Sequence, residues 1–159
     1  MNFSNLNLIR KLGFAYAVMF FFIASLQYIP GVADENGSLW GLFSLDIYDD
    51  SLHFFSGVWA LVAAWISTKA AVNYFKIFGI VYGLDGVMGL LLGQAYLDGG
   101  IFLYGPTFYP FIVRFGANVP HIVIGGLAVW IGFVLARRVL AVEQVAAYYL
   151  KDDQDNDRN

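Results

Sequence analysis

Apolar residues in this chain run in long blocks instead of alternating. Four stretches, at about residues 12–29, 52–68, 77–97 and 119–136, hold few polar side chains. Each is close to the roughly 20 residues that an α-helix needs to cross hydrocarbon. Backbone groups find no partners in lipid, so a spanning segment must satisfy them internally, as a helix does. Strands of a barrel would be shorter and would alternate in polarity. The pattern predicts four transmembrane helices. Trp40, Tyr48, Tyr74, Tyr104, Tyr109 and Tyr148 fall near their ends, where amphipathic rings favour the lipid–water boundary. The first stretch follows Arg10-Lys11 and precedes Gly31-Val32-Ala33, as a cleaved leader would. Its apolar run exceeds the roughly 7–15 residues of such a leader, so it is read as a retained span.

The bases set an orientation. Arg10, Lys11, Lys69, Lys76, Arg137, Arg138, Lys151 and Arg158 fall on one side of a four-span arrangement, and only Arg114 on the other. Bases concentrate on cytoplasmic loops. Both termini are therefore expected in the cytoplasm, with the chain in the cell (plasma or inner) membrane. Segment 30–51 carries Asp34, Glu35, Asp46, Asp49 and Asp50 without a base and is expected outside. Segment 98–118 is expected there too. Its Tyr104-Gly105-Pro106 and Tyr109-Pro110 are turn signals, and its aromatic residues suit it to lie on the interface or dip into it. Residues 1–138 are expected to form the transmembrane domain. Residues 139–159 read as a cytoplasmic helical extension with a polar acidic tail, disordered after Leu150.

Composition narrows the classes. Only 13% of residues are charged, against about a quarter in a soluble domain, so lipid must be the solvent for much of the surface. The chain has no cysteine, which excludes disulfides, thiolate metal sites and thiol redox chemistry. A net charge of -3 with scattered bases leaves no nucleic-acid footprint.

The second half repeats the first. Asp50-Ser51-Leu52-His53, followed by Gly57, matches Asn118-Val119-Pro120-His121, followed by Gly125. Both then run through an apolar stretch to a base, Lys69 or Arg137. Gly13-x-x-Tyr16 likewise matches Gly79-x-x-Tyr82. The repeats, about 10–69 and 76–138, hold two spans each, so they enter the membrane in the same direction. Such parallel repeats are related by a pseudo-two-fold axis along the membrane normal. The expected fold is an all-α polytopic four-helix bundle, with His53 and His121 at similar depth. On the paired Asp/Asn-x-x-His-x-x-x-Gly motifs, the chain over roughly Arg10–Arg138 resembles an uncharacterised bacterial four-helix membrane family, a numbered domain of unknown function (the 4383 type). The resemblance implies the topology and supplies no chemistry.

Several side chains are candidates for chemistry. The structural expectation for the motif is capping: Asp50 and Asn118 as N-caps, Pro120 in a first turn, each histidine reaching back to its loop, and the glycines allowing close helix contact. The alternative is a shared ligand. A haem b between His53 and His121 would have Arg114 beside its propionates. A divalent metal would take His53, His121 and an acid such as Asp50 or Asp49. An organic ligand, such as a quinone or lipid head group, is a further alternative. Asp85 lies about 13 Å into the third span at 1.5 Å per residue. It would be a packing residue bonded to Tyr16 or Tyr82, or a proton carrier. Its counterpart in the first repeat is Met19. Gly79-x-x-x-Gly83 and Gly89-x-x-x-Gly93 on the third span allow tight packing, inside the bundle or in a homo-oligomer. Nothing resembles a nucleophile triad, a phosphate loop or a zinc-protease motif. The expected role is non-enzymatic, structural or accessory to a larger membrane complex. The alternatives are haem- or metal-dependent electron transfer and proton-coupled transport through Asp85.

Overall fold

A single 3-10 turn at Phe3–Asn5 precedes Asn7, which starts the first long helix. Its side chain accepts the Arg10 amide at 3.1 Å, a conventional N-cap, and helix α1 runs Leu8–Ser25. These coordinates are a computed structural model, which describes residues 3–34, 38–39, 43–44 and 47–156. Glu35, Trp40, Asp46 and Arg158, which entered the charge and aromatic-belt expectations, lie outside the described residues. A short pairing of β1 (Ser38–Leu39) with β2 (Phe43–Ser44), Leu39 opposite Phe43, precedes helix α2 (Ile47–Ile66). Ser67, extended and capping the Ala70 amide, separates α2 from helix α3 (Thr68–Leu92). Helix α4 is short (Gly100–Tyr104). Helix α5 (Phe111–Trp130) continues through a π turn at Ile131–Leu135 into helix α6 (Ala136–Asn156).

The long helices associate as antiparallel pairs. On α1 and α2, Gly13 lies against Ala64, and Gly57 against Phe20 and Phe21. On α3 and α5, Gly79 lies against Val129 and Gly125, Gly83 against Gly125, and Gly86 against His121. These are the most extensive helix contacts, and α2 touches α3 far less. The glycines of α3 are therefore used inside the bundle, so Gly79, Gly83 and Gly89 offer no free stripe for the homo-oligomer considered above. Both pairs are closed by an arginine. Arg10 donates to the Ala64 and Trp65 carbonyls at the end of α2, at 2.8 and 2.7 Å. Arg114 donates to Leu90 and Leu91 near the end of α3, both at 3.1 Å. A cation there satisfies carbonyls without intrahelical partners and meets the negative end of the helix dipole.

Three segments among the described residues are long and apolar enough to cross a membrane: Leu8–Tyr28, Thr68–Leu92 and Phe111–Ala146. Helix α2 has 20 residues and is as long as its partners require. Asp49, Asp50, Ser51, His53 and Ser56 lower its mean hydropathy. Large apolar side chains such as Val18, Phe22, Phe55, Trp65, Ile77 and Leu91 stand exposed around the bundle. Water would penalise that surface and lipid would not.

Several boundaries differ from expectation. Helix α2 begins at Ile47, so Asp50 lies in its first turn and is not its N-cap, and α3 begins at Thr68, so Lys69 and Lys76 are helical. Helix α5 begins at Phe111, so Asn118, Pro120 and His121 are interior to it and not at its start. Asn118 therefore caps nothing. Its Nδ2 donates to the Arg114 carbonyl one turn earlier, at 2.9 Å, and its Oδ1 fills the space left by Gly89. The turn signals at Tyr104-Gly105-Pro106 and Tyr109-Pro110 made the whole segment read as loop, but its Arg114 and Asn118 are helical and find their partners on α3 or within α5. The helix at the other end continues past Leu150 to Asn156, where disorder was expected.

Candidate functional site: two histidines and a buried aspartate beneath a cavity

Gly93 ends α3 in the left-handed conformation, φ 79°, and its amide closes on Gly89 at 2.8 Å. A side chain there would collide with the Thr107 carbonyl, at 1.8 Å from an ideal Cβ. The chain then folds back along α3. The Tyr96 and Leu97 amides each donate to Asp85 Oδ1 at 2.8 Å. The other oxygen, Oδ2, lies 3.0 Å from His121 Nδ1 on α5. Gly86 makes this approach feasible, since a Cβ there would sit 2.7 Å from His121 Cβ. Asp85 is fully buried, yet it has three donors. It is bonded neither to Tyr16, whose hydroxyl donates to the Ile124 carbonyl, nor to Tyr82. A buried carboxyl is tolerated when hydrogen bonds replace its water.

His53 arrives from α2 and is almost wholly buried. Its Nε2 lies 3.1 Å from the Tyr82 hydroxyl. Its Nδ1 is buried without a hydrogen bond among the described residues. Either neutral tautomer sustains the bond to Tyr82, whose hydroxyl donates to Nε2 or accepts from it. Tyr82 also stacks on His121, with ring centres 4.4 Å apart and planes 25° apart. The two imidazole centres are 5.9 Å apart, edge to face. Tyr82 is thus the shared contact of both histidines. In the sequence it stood out as part of a repeat motif and as a candidate partner of Asp85, not as a partner of either histidine.

Below Tyr82, towards the end of the bundle that carries Arg10, Lys69 and Lys76, the interior is aromatic. Phe78 stacks on Tyr82 at 4.8 Å, and Tyr74 on Phe78 at 5.0 Å. Tyr16, Phe20 and Phe75 close around them edge to face. Above the histidines, towards the loop end, lies a cavity of about 600 Å³. His53, Tyr82 and His121 form its floor, with Asn118, Arg114 and Gln94 on the walls. His121 keeps some exposure to it, and its Nε2 makes no hydrogen bond among the described residues. At the rim, Tyr96 packs over Asp85, and its hydroxyl donates to the Val81 carbonyl. Burial and the neighbouring Asp85 raise its pKa above the ordinary phenol value.

The predicted site residues divide between two places. His53, His121, Asp85, Asn118 and Arg114 share the cavity region, while Gly57 and Gly125 are packing positions. Asp50 turns away, accepting from the Tyr28 hydroxyl at 2.8 Å and from the Gln27 amide. Among the described residues no three His or acidic side chains form a metal-holding group, so His53, His121 and Asp50 do not assemble the divalent site considered above. A haem shared by the histidines does not fit either. His53 Nε2 faces Tyr82 and not a common centre, and the Arg114 guanidinium is engaged with α3 carbonyls. Three contacts were not foreseen: the Tyr96 and Leu97 amides on Asp85, the Tyr82–His53 bond, and the cover of Asp50 by Gln27 and Tyr28. Only Gly93 and Gly99, both with positive φ, hinted that the chain folds back here.

An all-helical bundle with long apolar helices and a histidine–aspartate pair facing a cavity at one end defines a membrane-type helical protein. The chain belongs to the family of the domain of unknown function DUF4383, which it matches over residues 10–134. No curated protein and no solved structure matches it.

Proposed function

We propose that this is a non-enzymatic polytopic protein of the cell membrane, structural or accessory in role, that binds a small ligand from the outer side. The observation that carries this reading is the cavity whose floor is His53, Tyr82 and His121, with Asp85 buried behind His121 and an aromatic column beneath. The hydrogen bonds of Asp85 run to Tyr96, Leu97 and His121 at the cavity end and none to the column beneath Tyr82, which favours binding over proton-coupled transport. Four spans are the reading that best accommodates α2. It pairs with α1 along its length, and its acids Asp49 and Asp50 stand in its first turn, at head-group level. The pairs α1/α2 and α3/α5 correspond to the two sequence repeats. Arg10, Lys11, Lys69, Lys76, Arg137 and Arg138 lie opposite the cavity, and the bias of bases to cytoplasmic loops supports termini in the cytoplasm and a cavity outside.

The absence of cysteine makes the orientation easy to test. Thr107→Cys, in the loop beside the cavity, should react with a membrane-impermeant maleimide in intact cells. Ser4→Cys should react only after permeabilisation. The opposite pattern would put the cavity in the cytoplasm and remove this reading.

A further inference from the structure

A second, largely apolar cavity of about 420 Å³ lies on the flank of the bundle, where α2 and α3 pack loosely. Leu52, Phe55 and Trp59 line it from α2, and Phe78 and Val81 from α3. Tyr48 and Asp98 line both this groove and the chamber above the histidines, so the two spaces are neighbours with shared walls. The groove runs at the level of exposed residues such as Phe55 and Trp59, where a bundle in a membrane faces acyl chains.

We propose that the ligand is a neutral membrane amphiphile of the quinone/quinol class, its ring in the chamber and its apolar tail in the α2–α3 groove. This rests on the reading of the chamber as an outward binding site. Charge selects a neutral head. The chamber walls carry Asp49 and Asp98, and Arg114, the one full cation among the described lining residues, already serves two carbonyls. A phosphate would meet two acids and an engaged arginine. Hydrogen bonding selects a head that carries oxygens. With Nδ1 held by Asp85, His121 offers Nε2 to a hydroxyl. The phenols of Tyr104 and Tyr109 line the same chamber and can donate to an oxygen elsewhere on the ring. Shape selects a planar ring, because Tyr48, Tyr82, Tyr104 and Tyr109 line the chamber and favour stacked or edge contacts.

The test is a titration of the full chain in lipid nanodiscs with a decyl-tailed benzoquinol. Binding is read as the difference in tryptophan quenching between the wild type and Trp59→Phe. Saturable quenching is expected. His121→Asn should weaken it about tenfold or more, the loss of one hydrogen bond in a buried site. Val81→Phe, at a surface position of the groove that leaves the core intact, should weaken binding of the decyl compound and leave that of tail-less hydroquinone unchanged. Equal affinity for both compounds, untouched by Val81→Phe, would overturn the membrane-amphiphile proposal while the chamber remained a binding site. Competition by dodecyl phosphate, an anionic head on a similar tail, that depends on His121 would overturn the neutral head. No saturable binding, with the chamber still open to thiol reagents from outside, would overturn this proposal alone. No binding and no access from outside would overturn the outward-site reading as well.

Discussion

Replacing Asp85 with alanine should destabilise the folded protein by about 3–5 kcal/mol, the range for removing one partner of a buried charged or strongly polar group. The loss has three parts. The Tyr96 and Leu97 amides lose their acceptor, and His121 Nδ1 loses its partner. Each stranded donor costs roughly 1–3 kcal/mol before relaxation. Asp85→Asn should cost less. Its carbonyl oxygen still accepts both amides, and His121 can move its proton to Nε2 and accept from the new amide at Nδ1. Thermal unfolding in detergent should therefore rank wild type above Asp85→Asn, and Asp85→Asn above Asp85→Ala. An alanine variant that melts with the wild type would show that the fold-back of residues 93–98 onto Asp85 does not hold this end of the bundle.

Two adjacent glycines should respond in opposite ways. An ideal Cβ on Gly125 would lie 2.5 Å from the Gly83 nitrogen and 2.6 Å from its Cα. Both are backbone atoms of α3, so no side chain can move aside, and the helices must separate. Gly125→Ala should cost about 1–3 kcal/mol or more, as overpacking does. It should also disturb the cavity floor, because His121 lies one turn away on the same helix. At Gly126 nothing lies within 4 Å of an ideal Cβ. Gly126→Ala should be neutral or stabilising by up to about 1 kcal/mol, since alanine is the better helix former. Denaturation of the two variants side by side gives the comparison. Equal effects would mean that the close α3–α5 contact is absent.

The helices were legible because lipid demands long apolar runs, and those runs are visible without knowing what packs on what. Their ends were less so. Arg114 and Asn118 read as loop residues because turn signals precede them and a polar side chain in a span is costly alone, and the sequence does not show that Leu90, Leu91 and Gly89 await them across the bundle. The same reasoning explains α2. Asp50 depresses its hydropathy, yet Gln27 and Tyr28 cover that carboxyl. In the site, repetition singled out both histidines, since a duplicated motif stands out from background. Asp85 was noticed for its burial cost, but its partner was misjudged. The repeat has Met19 at the equivalent position, so symmetry gave no reason to join Asp85 to His121 rather than to a tyrosine. The glycines of α3 carried an ambiguity between internal and external packing that only the positions of Gly125 and Val129 resolve.

The central claim is that the histidine–aspartate cluster underlies a chamber open to the outer side and sealed from the cytoplasm. Ala117 lines that chamber, and Ala71 is fully buried at the basic end. With no native cysteine to confuse the signal, Ala117→Cys should be modified by a charged, membrane-impermeant thiosulfonate added to intact cells. Ala71→Cys should remain unmodified from either side. Modification of Ala117→Cys only in inverted vesicles, or from neither side, would contradict the account.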